Sequence, residues 1–591
     1  MKISSCMFMR FQNQVYLCVH KLKATNKTSP NPMKHLRTLL ILSIFCVSLS
    51  AQPNYAWVLN GNQAGDFAEI TDIAIDANGN SYVLLSYSEP ITFGSVTVSP
   101  VGGLDLAVVK FNADGVAQWV INAGSATNDR GNAIAVDNSG AAYVTGYITS
   151  DAFFDNYPLL LDNIADLSTE YFVGKIDPNG QWLWVRQQNS QAIAEGVDIA
   201  VDNDGNVVVG GKYFAADLVL DGQTLNSVNQ LPFVAKYTNT GSIQWAFNPE
   251  TDWGASFSAL AIGASNEIVF CGSFGTAEAE SVSLTAGNVV LTNVGDVDST
   301  TAGDVYVLAL NSAGLPIWGQ HAGALRTEAY ATDIAVGAGG SVYISGFFND
   351  SISNFESINL ATFGIEAGEA TDFDGFIASL SPFGGEWNWI QRIGTAGYDL
   401  GQLRLSASSN GVIYLSVTAL ADLAYNLGDL QFTPTAGETS LISRINSDGS
   451  FLWAYSMPDL YAFAASSENQ LRVGGKFTAT ESFGSLTLTA TGGTSGTDVY
   501  VGKVQYGPDI PSVLWHANEA DAAVYPNPFV DYINLKCDGE IRSTHVIDAT
   551  GRIVEVFGNS TQLNLQHLEK GNYVLRIIKD EGVITKRIVK N

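Results

Sequence analysis

The chain has 591 residues, with 58 glycines, and its 58 acidic residues outnumber 29 basic ones. This length exceeds what one ordinary core buries, and high glycine content with modest charge favours a large all-β body over disorder. The acidic surface argues against nucleic acid and anionic membranes as partners, because both repel negative charge.

Residues 1–52 have the features of an export leader. They include seven basic and no acidic residues, so their removal leaves 22 basic against 58 acidic residues, a net charge of −36. Lys34 and Arg37 precede an apolar run that ends at Leu49, and small residues follow it, which predicts a signal peptide over about residues 33–51. We interpret residues 1–32 as an upstream extension from a mis-assigned start, and an extended n-region is the alternative. No other apolar stretch has the roughly 20 residues of a membrane span, so we expect no transmembrane segment in the mature chain.

Seven tryptophans recur along the rest of the chain at intervals of 61 to 73 residues. They are Trp57, Trp119, Trp184, Trp245, Trp318, Trp389 and Trp453. Most of them end a Gly-x-x-x-Trp step, as in Gly115 to Trp119. A fixed spacing of this kind is the signature of a repeat protein.

The sequence pattern of each repeat predicts four antiparallel strands. An apolar strand ends in an Asx–Gly turn, a Val- and Tyr-rich second strand follows, and after a third strand the fourth contains the tryptophan. Sets of the first three strands begin near residues 72, 132, 197, 259, 332, 403 and 462. The last set lacks its own tryptophan strand, whereas a strand containing Trp57 stands alone at the start of the mature chain. We therefore predict an all-β, seven-bladed β-propeller over residues 53–507, closed by this N-terminal strand.

The connections between second and third strands are long, as in residues 89–105 and 349–374. Long loops on a rigid scaffold commonly carry recognition, so we expect the binding face there. Strand-like pieces at residues 95–98 and 485–488 predict that these loops extend the blades outward.

The repeats resemble the SBBP repeats of secreted bacterial β-propellers over about residues 55–505. The resemblance rests on Asp202-Asn203-Asp204-Gly205-Asn206, followed by Val208-Val209-Gly210, and on the lysine of the third strand, as at Lys175. Ala309 and Ser379 replace that lysine in two repeats, which indicates a structural role for the repeat lysines.

After a linker at residues 508–522, residues 523–591 form a nearly neutral segment with nine basic and eight acidic residues. Its alternating pattern predicts a small β-sandwich. Its motifs resemble the type A C-terminal sorting domain of type IX (Por) secretion, which implies the secretion machinery as a partner and delivery to the surface or surroundings of a Gram-negative bacterium. The residues that carry the resemblance are Tyr525, Pro526, Asn527, Pro528, Gly551, Gly571, Tyr573, Lys586, Arg587 and Lys590.

Residues suited to catalysis or metal binding are scarce. Between residues 53 and 522 the chain has only His321 and His516, and Cys271 lies in an apolar strand, so we predict no catalytic residues, no metal site and no cofactor. The exception is a set of acidic residues just before the innermost strands, which a ring would gather at the mouth of its channel. They are Asp66 or Glu69, Asp129, Glu195, Asp252, Glu328 and Asp399. Binding of Ca²⁺ or a cationic ligand, and simple capping of turns, are both open for them.

We therefore predict an exported binding or adhesion module without catalysis, whose extracellular ligand is a glycan or a protein. The alternative is a secreted carbohydrate-active enzyme that uses carboxylates at the channel mouth. A passive scaffold or a body stabilised by Ca²⁺ is a third interpretation.

Overall fold

The computed structural model describes residues 6–11, 15–20, 54–63, 67–161, 169–227, 229–251, 253–275, 282–293, 303–323, 329–349, 353–355, 358–360, 373–382, 385–394, 400–408, 410–419, 425–428, 430–433, 439–467, 470–491, 497–505, 522–526, 529–537, 541–547, 553–568, 570–579 and 582–590. The predicted signal peptide at about 33–51 lies outside these residues. The chain divides into two compact units, Met1–Ser50 and Ala51–Asn591. In the first unit, Cys6–Phe11 pairs with Val15–His20.

Within the described residues, seven antiparallel sheets each contain four strands in the order first, second, third, fourth. We number the sheets by the position of their first strand in the chain. The strands of sheets 1 to 4 are Ala68–Ile75, Ser81–Tyr87, Asp105–Phe111, Ala117–Ala123; Arg130–Val136, Ala142–Ile148, Glu170–Ile176, Trp182–Gln187; Ile193–Val201, Val207–Phe214, Leu231–Tyr237, Ile243–Phe247; and Ala259–Ile262, Ile268–Phe274, Asp304–Leu310, Pro316–Ala322. Those of sheets 5 to 7 are Ala329–Val336, Val342–Asn349, Phe373–Leu380, Trp387–Gly394; Leu400–Ala407, Ile413–Ala419, Ser440–Ile445, Phe451–Met457; and Leu460–Ser467, Gln470–Thr478, Thr497–Gln505, Asn54–Gln63. A short 3-10 helix, Ala338–Gly340, lies between the first two strands of sheet 5.

The fourth strand of sheet 7 comes from the N-terminal end of the body. Asn54–Gln63 pairs antiparallel with Thr497–Gln505, and Trp57 lies opposite Lys503. The predicted pairing of the early strand with the last sheet is thus confirmed.

Neighbouring sheets pack face against face through apolar side chains. Seven hydrophobic clusters among the described residues each join two sheets that are consecutive in the chain order, and one of them joins sheet 7 back to sheet 1. That last cluster includes Ile70 and Leu85 of sheet 1 with Val499 and Val501 of sheet 7. Because these residues are shielded from water by the next sheet and not by their own, the sheets stabilise each other through burial of apolar surface.

The Gly-x-x-x-Trp step reflects a contact between sheets. Six of the seven fourth-strand tryptophans pack against the glycine in the turn between the third and fourth strands of the following sheet. Gly115 adopts φ +85°, and a Cβ added there would lie 2.6 Å from the Trp57 ring. Only glycine therefore fits both the turn and the close approach. The pairs are Trp57–Gly115, Trp119–Gly180, Trp184–Gly241, Trp245–Gly314, Trp318–Gly385 and Trp389–Gly449.

The repeat lysines reach the same turns. The Lys110 ammonium and the Trp119 indole both donate to the carbonyl of Pro178, each at 3.0 Å. Lys236 and Trp245 share the carbonyl of Ser312 in the same way. These contacts satisfy backbone carbonyls in the next sheet, so the lysines are structural.

The long connections between second and third strands contain small hairpins. Their strands are Ile91–Phe93 and Val96–Val98, Ala152–Phe154 and Tyr157–Leu159, Leu218–Leu220 and Gln223–Leu225, Ser283–Ala286 and Val289–Thr292, Ser353–Phe355 and Ile358–Leu360, Tyr425–Leu427 and Leu430–Phe432, and Thr480–Phe483 and Leu486–Thr489.

Several of these hairpins extend the preceding sheet and not their own, a partner that the sequence pattern does not specify. Thr92 lies opposite Asn62 of sheet 7, and Leu427 lies opposite Ile393 of sheet 5. In sheet 4 the hairpin pairs with the short strand Glu250–Thr251, which follows sheet 3. The physical reason is that the outer strand of the preceding sheet has unpaired backbone groups, and the hairpin satisfies them.

The tail consists of two further sheets. One contains Ala522–Tyr525, Tyr532–Cys537 and Gln562–Asn564, and the other contains Ile553–Phe557, Ile541–Ile547, Gly571–Lys579 and Gly582–Lys590. Both contribute to one apolar cluster, in which Ile533 and Leu563 meet Val546 and Leu575. This cluster is separate from those of the seven sheets.

Candidate functional site

A polar cavity of about 1020 Å³ is lined by the first-strand segments of all seven sheets. Each sheet contributes at least one side chain, for example Asp72, Asn132, Asp198, Ser258, Asp333, Arg404 and Phe463. A concave site to which several elements contribute polar groups is the usual form of a small-molecule site.

Three carboxylates of the cavity wall recur in alternate sheets. Asp72, Asp198 and Asp333 belong to the first strands of sheets 1, 3 and 5, and each follows a β-bulge directly. A bulge changes the direction in which the next side chains point. Arg404 occupies the equivalent position in sheet 6, where it lies opposite Ser416.

Each of these carboxylates connects two sheets. One oxygen accepts the N–H of the following residue at 2.7 Å. The other accepts an N–H from the first-strand segment of the next sheet. The second contacts are Asp72 with Ile134 at 2.8 Å, Asp198 with Leu260 at 2.7 Å and Asp333 with Leu405 at 2.7 Å. The hydrogen bonds therefore join sheets 1 and 2, 3 and 4, and 5 and 6.

The same carboxyl groups bind protons more tightly than ordinary aspartates. Burial raises the pKa of Asp198 to about 8, and the charges of Asp333 and Asp72 add to this effect. Burial likewise raises the pKa of Asp72 and of Asp333 to about 6, while the positive charge of Arg404 acts in the opposite direction. At neutral pH Asp198 is therefore mostly protonated, and the other two are mostly ionised.

A charged rim, of which Arg130, Glu195 and Lys212 line the cavity, lies near the start of the first strands. We define this rim as Glu69, Arg130, Glu195, Lys212, Asp459 and Lys476. Its members form three ion pairs: Arg130 with Glu69 at 3.0 Å, Lys212 with Glu195 at 2.6 Å and Lys476 with Asp459 at 3.9 Å. The pKa of Lys476 is raised by a hydrogen bond with Tyr461 and by the charges of Asp459 and Glu69. The rim thus extends across sheets 7, 1, 2 and 3, with positive and negative charges in equal number.

An aromatic rim, defined as Tyr330, Phe347 and Phe373, belongs to sheet 5. Phe347 lines the cavity. The Tyr330 ring stacks on the Phe373 ring at a centroid distance of 5.7 Å, and 37% of Tyr330 is exposed. In the order of the sheets, sheet 4 comes between the aromatic rim and the charged rim on one side, and sheet 6 comes between them on the other.

The predicted acidic ring has three members among the described residues, of which Glu69, the alternative to Asp66, pairs with Arg130 in the charged rim. Asp129 is fully buried and accepts hydrogen bonds from the backbone N–H groups of Ser125 and Thr149, which corresponds to the turn-capping alternative. Glu195 lines the cavity, and Lys212 balances its charge. The other predicted members lie outside the described residues: Asp66, Asp252, Glu328 and Asp399.

Sequence reasoning missed the three wall aspartates. A signal for them exists in the sequence, because the motif Asp-Ile-Ala followed by Ile or Val occurs at Asp72, Asp198 and Asp333, in the first, third and fifth repeats. The sequence pattern indicates only that these residues begin apolar strands. Their pairing with the next sheet depends on the register after each bulge.

The residues of the sorting motif occupy different environments. Tyr573 is buried, whereas Tyr525 and Pro526 are exposed. Lys586 is partly buried, Gly571 lies opposite Lys590, and Arg587 lies opposite Val574. The remaining members, Asn527, Pro528 and Gly551, lie outside the described residues.

Lys590, the penultimate residue, is buried in the tail. Its ammonium donates to the carbonyls of Leu565 at 3.0 Å and Gln566 at 3.2 Å, and also to that of Val530. The ammonium lies 5.3 Å from the centre of the Phe529 ring. These contacts attach the last strand to the other sheet of the tail.

Other reactive groups have ordinary surroundings. His321 lies 3.1 Å from a carboxylate oxygen of Asp304, and Cys271 is fully buried, which raises the pKa of its thiol well above the usual value. Among the described residues, no three His, Cys, Asp or Glu side chains are grouped so that they could hold a metal ion. In the same part of the chain, no helix has the length and apolar character needed to cross a membrane.

Comparison with known proteins identifies the tail. Residues 523–591 match the family described as "Secretion system C-terminal sorting domain". The chain therefore has a type IX sorting domain, which indicates export to the cell surface or the medium and interaction with the secretion machinery.

The chain is also similar to two proteins over part of their length and to a solved structure. An uncharacterized WD repeat-containing protein of Acanthamoeba polyphaga mimivirus is 26% identical over 161 residues, which are 25% of this chain and 11% of that protein. Regulatory protein FlaEY of Caulobacter vibrioides is 24% identical over 224 residues, which are 37% of this chain and 21% of FlaEY. The matches span at most about a fifth of these relatives. A solved structure of unknown function from Dyadobacter fermentans is 10% identical with a TM-score of 0.36, and the match covers 77% of this chain and all of that one.

Proposed function

We propose that the seven sheets are the blades of one closed β-propeller built from SBBP-type repeats. The pairing of Trp57 with Lys503 and the apolar cluster between sheets 7 and 1 support this proposal. Closure leaves few free strand edges, which suits a protein that functions outside the cell without a disulfide framework.

We further propose that the exported protein is a binding or adhesion module without catalysis, and that its ligand is a glycan or an extracellular protein. One observation carries this proposal: a polar cavity to which all seven sheets contribute, in a chain with a secretion sorting domain. Packed sheets hold the lining side chains in place, so little conformational entropy is lost on binding.

The carboxylates of the cavity wall also bear on the alternative of a carbohydrate-active enzyme. Groups with pKa values of about 6 and about 8 in one cavity are a typical acid–base combination. However, both oxygens of Asp72, Asp198 and Asp333 already accept backbone hydrogen bonds. Because these hydrogen bonds occupy both oxygens, they favour a structural role for the aspartates over a catalytic one. A structural role supports the binding proposal.

The test uses the chain without residues 1–52 on arrays of glycans and extracellular-matrix proteins. Saturable binding of one ligand, which is recovered chemically unchanged after long incubation, is the expected result. Turnover of a bound glycan would favour the enzyme, and absence of binding on both arrays would contradict the proposal.

The role of Ca²⁺ stays a prediction that the same protein can test. A body stabilised by Ca²⁺ would show a Tm that rises with added Ca²⁺ and falls with chelator. We propose a body without such a cofactor, for which Tm is the same in both conditions.

A further inference from the structure

We propose that the rim of the cavity binds a neutral oligosaccharide, whose hydroxyl groups contact the charged rim and whose sugar ring stacks on the aromatic rim. This inference rests on the proposed binding function and names its ligand class. It follows from the charge balance of one rim and the exposed ring of the other.

The charged rim has hydrogen-bonding capacity without net charge. Its ion pairs are partly exposed: the side chains of Arg130 and Glu69 are 28% and 29% exposed, and those of Lys212 and Glu195 are 36% and 22% exposed. An arginine has five N–H donors, a lysine has three, and a carboxylate accepts about four hydrogen bonds. One ion pair uses only part of this capacity, so donors and acceptors remain for a ligand.

Charge balance selects the kind of ligand. A rim of unpaired carboxylates would attract cations, and a rim of unpaired lysines would attract anions. Here each positive group has a negative partner, so a free ion gains little. A hydroxyl group both donates and accepts, and it can contact either member of a pair.

The aromatic rim supplies a surface of a different kind. Tyr330 is 37% exposed, and its ring stacks on that of Phe373, which restricts the orientation of the ring. Aromatic rings have an extended apolar face, and tyrosine adds a polar hydroxyl at its edge. The apolar face of a pyranose ring fits such a platform, while its hydroxyl groups point away from it.

The wall between the two rims is also suited to a polyhydroxyl compound. Besides the aspartates, it presents uncharged polar side chains from sheets 2, 4, 5 and 6, namely Asn132, Ser258, Thr332, Gln402 and Ser406. Most of these side chains already have one hydrogen-bond partner within the protein, but each keeps further donor or acceptor capacity. The hydroxyl groups of a sugar chain that enters the cavity would use this remaining capacity, which a mainly hydrophobic ligand would not.

The experiment measures binding of neutral gluco-, galacto-, manno- and xylo-oligosaccharides to the chain without residues 1–52 by calorimetry. One variant combines Lys212→Met with Glu195→Gln, so that no unpaired charge is left, and a second is Tyr330→Ala. Asp114→Asn is the matched control, because Asp114 is exposed in the turn at the opposite end of sheet 1. We expect wild-type and control to bind alike and each rim variant to bind at least about tenfold more weakly, since hydrogen bonds to charged groups and stacking contacts have this size.

Several outcomes would overturn the inference. They are absence of binding to every neutral oligosaccharide at millimolar concentration, unchanged affinity in the rim variants, and preference for a sulfated or cationic oligosaccharide. If the wild-type chain binds only an extracellular-matrix protein, the binding function stands and the sugar inference is wrong. If it binds neither class, the proposed function fails as well. Should the double variant lose its native circular dichroism spectrum, Tyr330→Ala decides alone, because this side chain is exposed.

Discussion

The Arg472 guanidinium donates a hydrogen bond of 2.8 Å to the backbone carbonyl of Gly79, 393 residues away in the chain. A second hydrogen bond of 2.8 Å runs from its Nε to the hydroxyl of Ser81. Arg472 is almost fully buried in sheet 7, and both partners belong to sheet 1 or its first turn. In sheet 1 the matching contact is made by Tyr82, whose hydroxyl donates to the carbonyl of Gly140 in the next sheet at 2.7 Å. Arginine thus replaces tyrosine where the last sheet meets the first.

We expect Arg472→Ala to lower the free energy of unfolding by about 2–4 kcal/mol, because it removes a buried side chain and leaves the partly buried carbonyl of Gly79 without its charged donor. Arg472→Lys should recover only part of this loss, since lysine lacks the planar fork that reaches both partners. Urea unfolding of the two variants and wild-type measures the effect. A loss below about 1 kcal/mol for the alanine variant would show that this contact contributes little to closure.

The tryptophan–glycine contact predicts that two similar substitutions lower the free energy of unfolding by different amounts. Gly115→Ala and Gly205→Ala both place a side chain at positive φ, +85° and +78° respectively. At Gly205 nothing lies within 4 Å of the added Cβ, whereas at Gly115 the Trp57 ring lies 2.6 Å away. We expect Gly205→Ala to cost about 1 kcal/mol and Gly115→Ala about 1–3 kcal/mol more, because overpacking adds to backbone strain. Equal midpoints in thermal unfolding would contradict the proposed packing.

The raised pKa of Asp198 predicts an unusual dependence of stability on pH. Its pKa is about 8 in the folded chain and about 3.9 in an unfolded one. The stability that this group contributes is fully present below pH 4 and is lost as the pH rises through 8. Between pH 6 and 8 the free energy of unfolding should therefore fall, with a slope of about 1.4 kcal/mol per pH unit near pH 6 that decreases through pH 8 and vanishes above it.

Urea unfolding at pH 6, 7 and 8 tests this expectation. Asp198→Asn should flatten the slope whatever its effect on absolute stability, because asparagine does not titrate. Asp72 and Asp333, with pKa values of about 6, act in a lower window between about pH 4 and 6. An unchanged slope in Asp198→Asn, with exposed Asp114→Asn as control, would remove Asp198 as its source.

We predict that replacement of Lys590 causes a defect in export. We expect Lys590→Ala to destabilise the tail, since three carbonyls lose their shared donor and the last strand loses its attachment. In the native host this variant should accumulate inside the cell, as should a chain without residues 523–591. Lys536→Ala is the control, because Lys536 is an exposed lysine of the same domain. Normal amounts of Lys590→Ala in the medium and at the surface would show that the buried ammonium is dispensable.

Local chemistry made much of the fold predictable. The tryptophan spacing, the Asx–Gly turns and the isolated strand around Trp57 indicate seven sets of strands with one strand displaced to the N-terminus, and the pairing of Trp57 with Lys503 agrees. The sorting motif was equally visible, because it consists of short runs whose residues are adjacent in sequence. The hairpins were predicted as strands, but their pairing with the preceding sheet was not, since strand propensity does not specify a partner.

The candidate site depended far more on tertiary structure. The spacing of acidic residues predicted a negatively charged ring, yet Asp129 is buried in a turn and Glu195 pairs with Lys212 across neighbouring strands. The wall aspartates were missed because a bulge decides where each of them points.

The sequence alone determined the repeat, its strands, the displaced strand and the sorting domain, because turns, strand patterns and short motifs are specified by residues close together in the chain. Only the tertiary structure decided which charges cancel, which carboxylates join two sheets and where a ligand would meet both rims. These properties depend on register and on contacts between residues tens to hundreds of positions apart, such as Asp198 with Leu260 and Arg472 with Gly79.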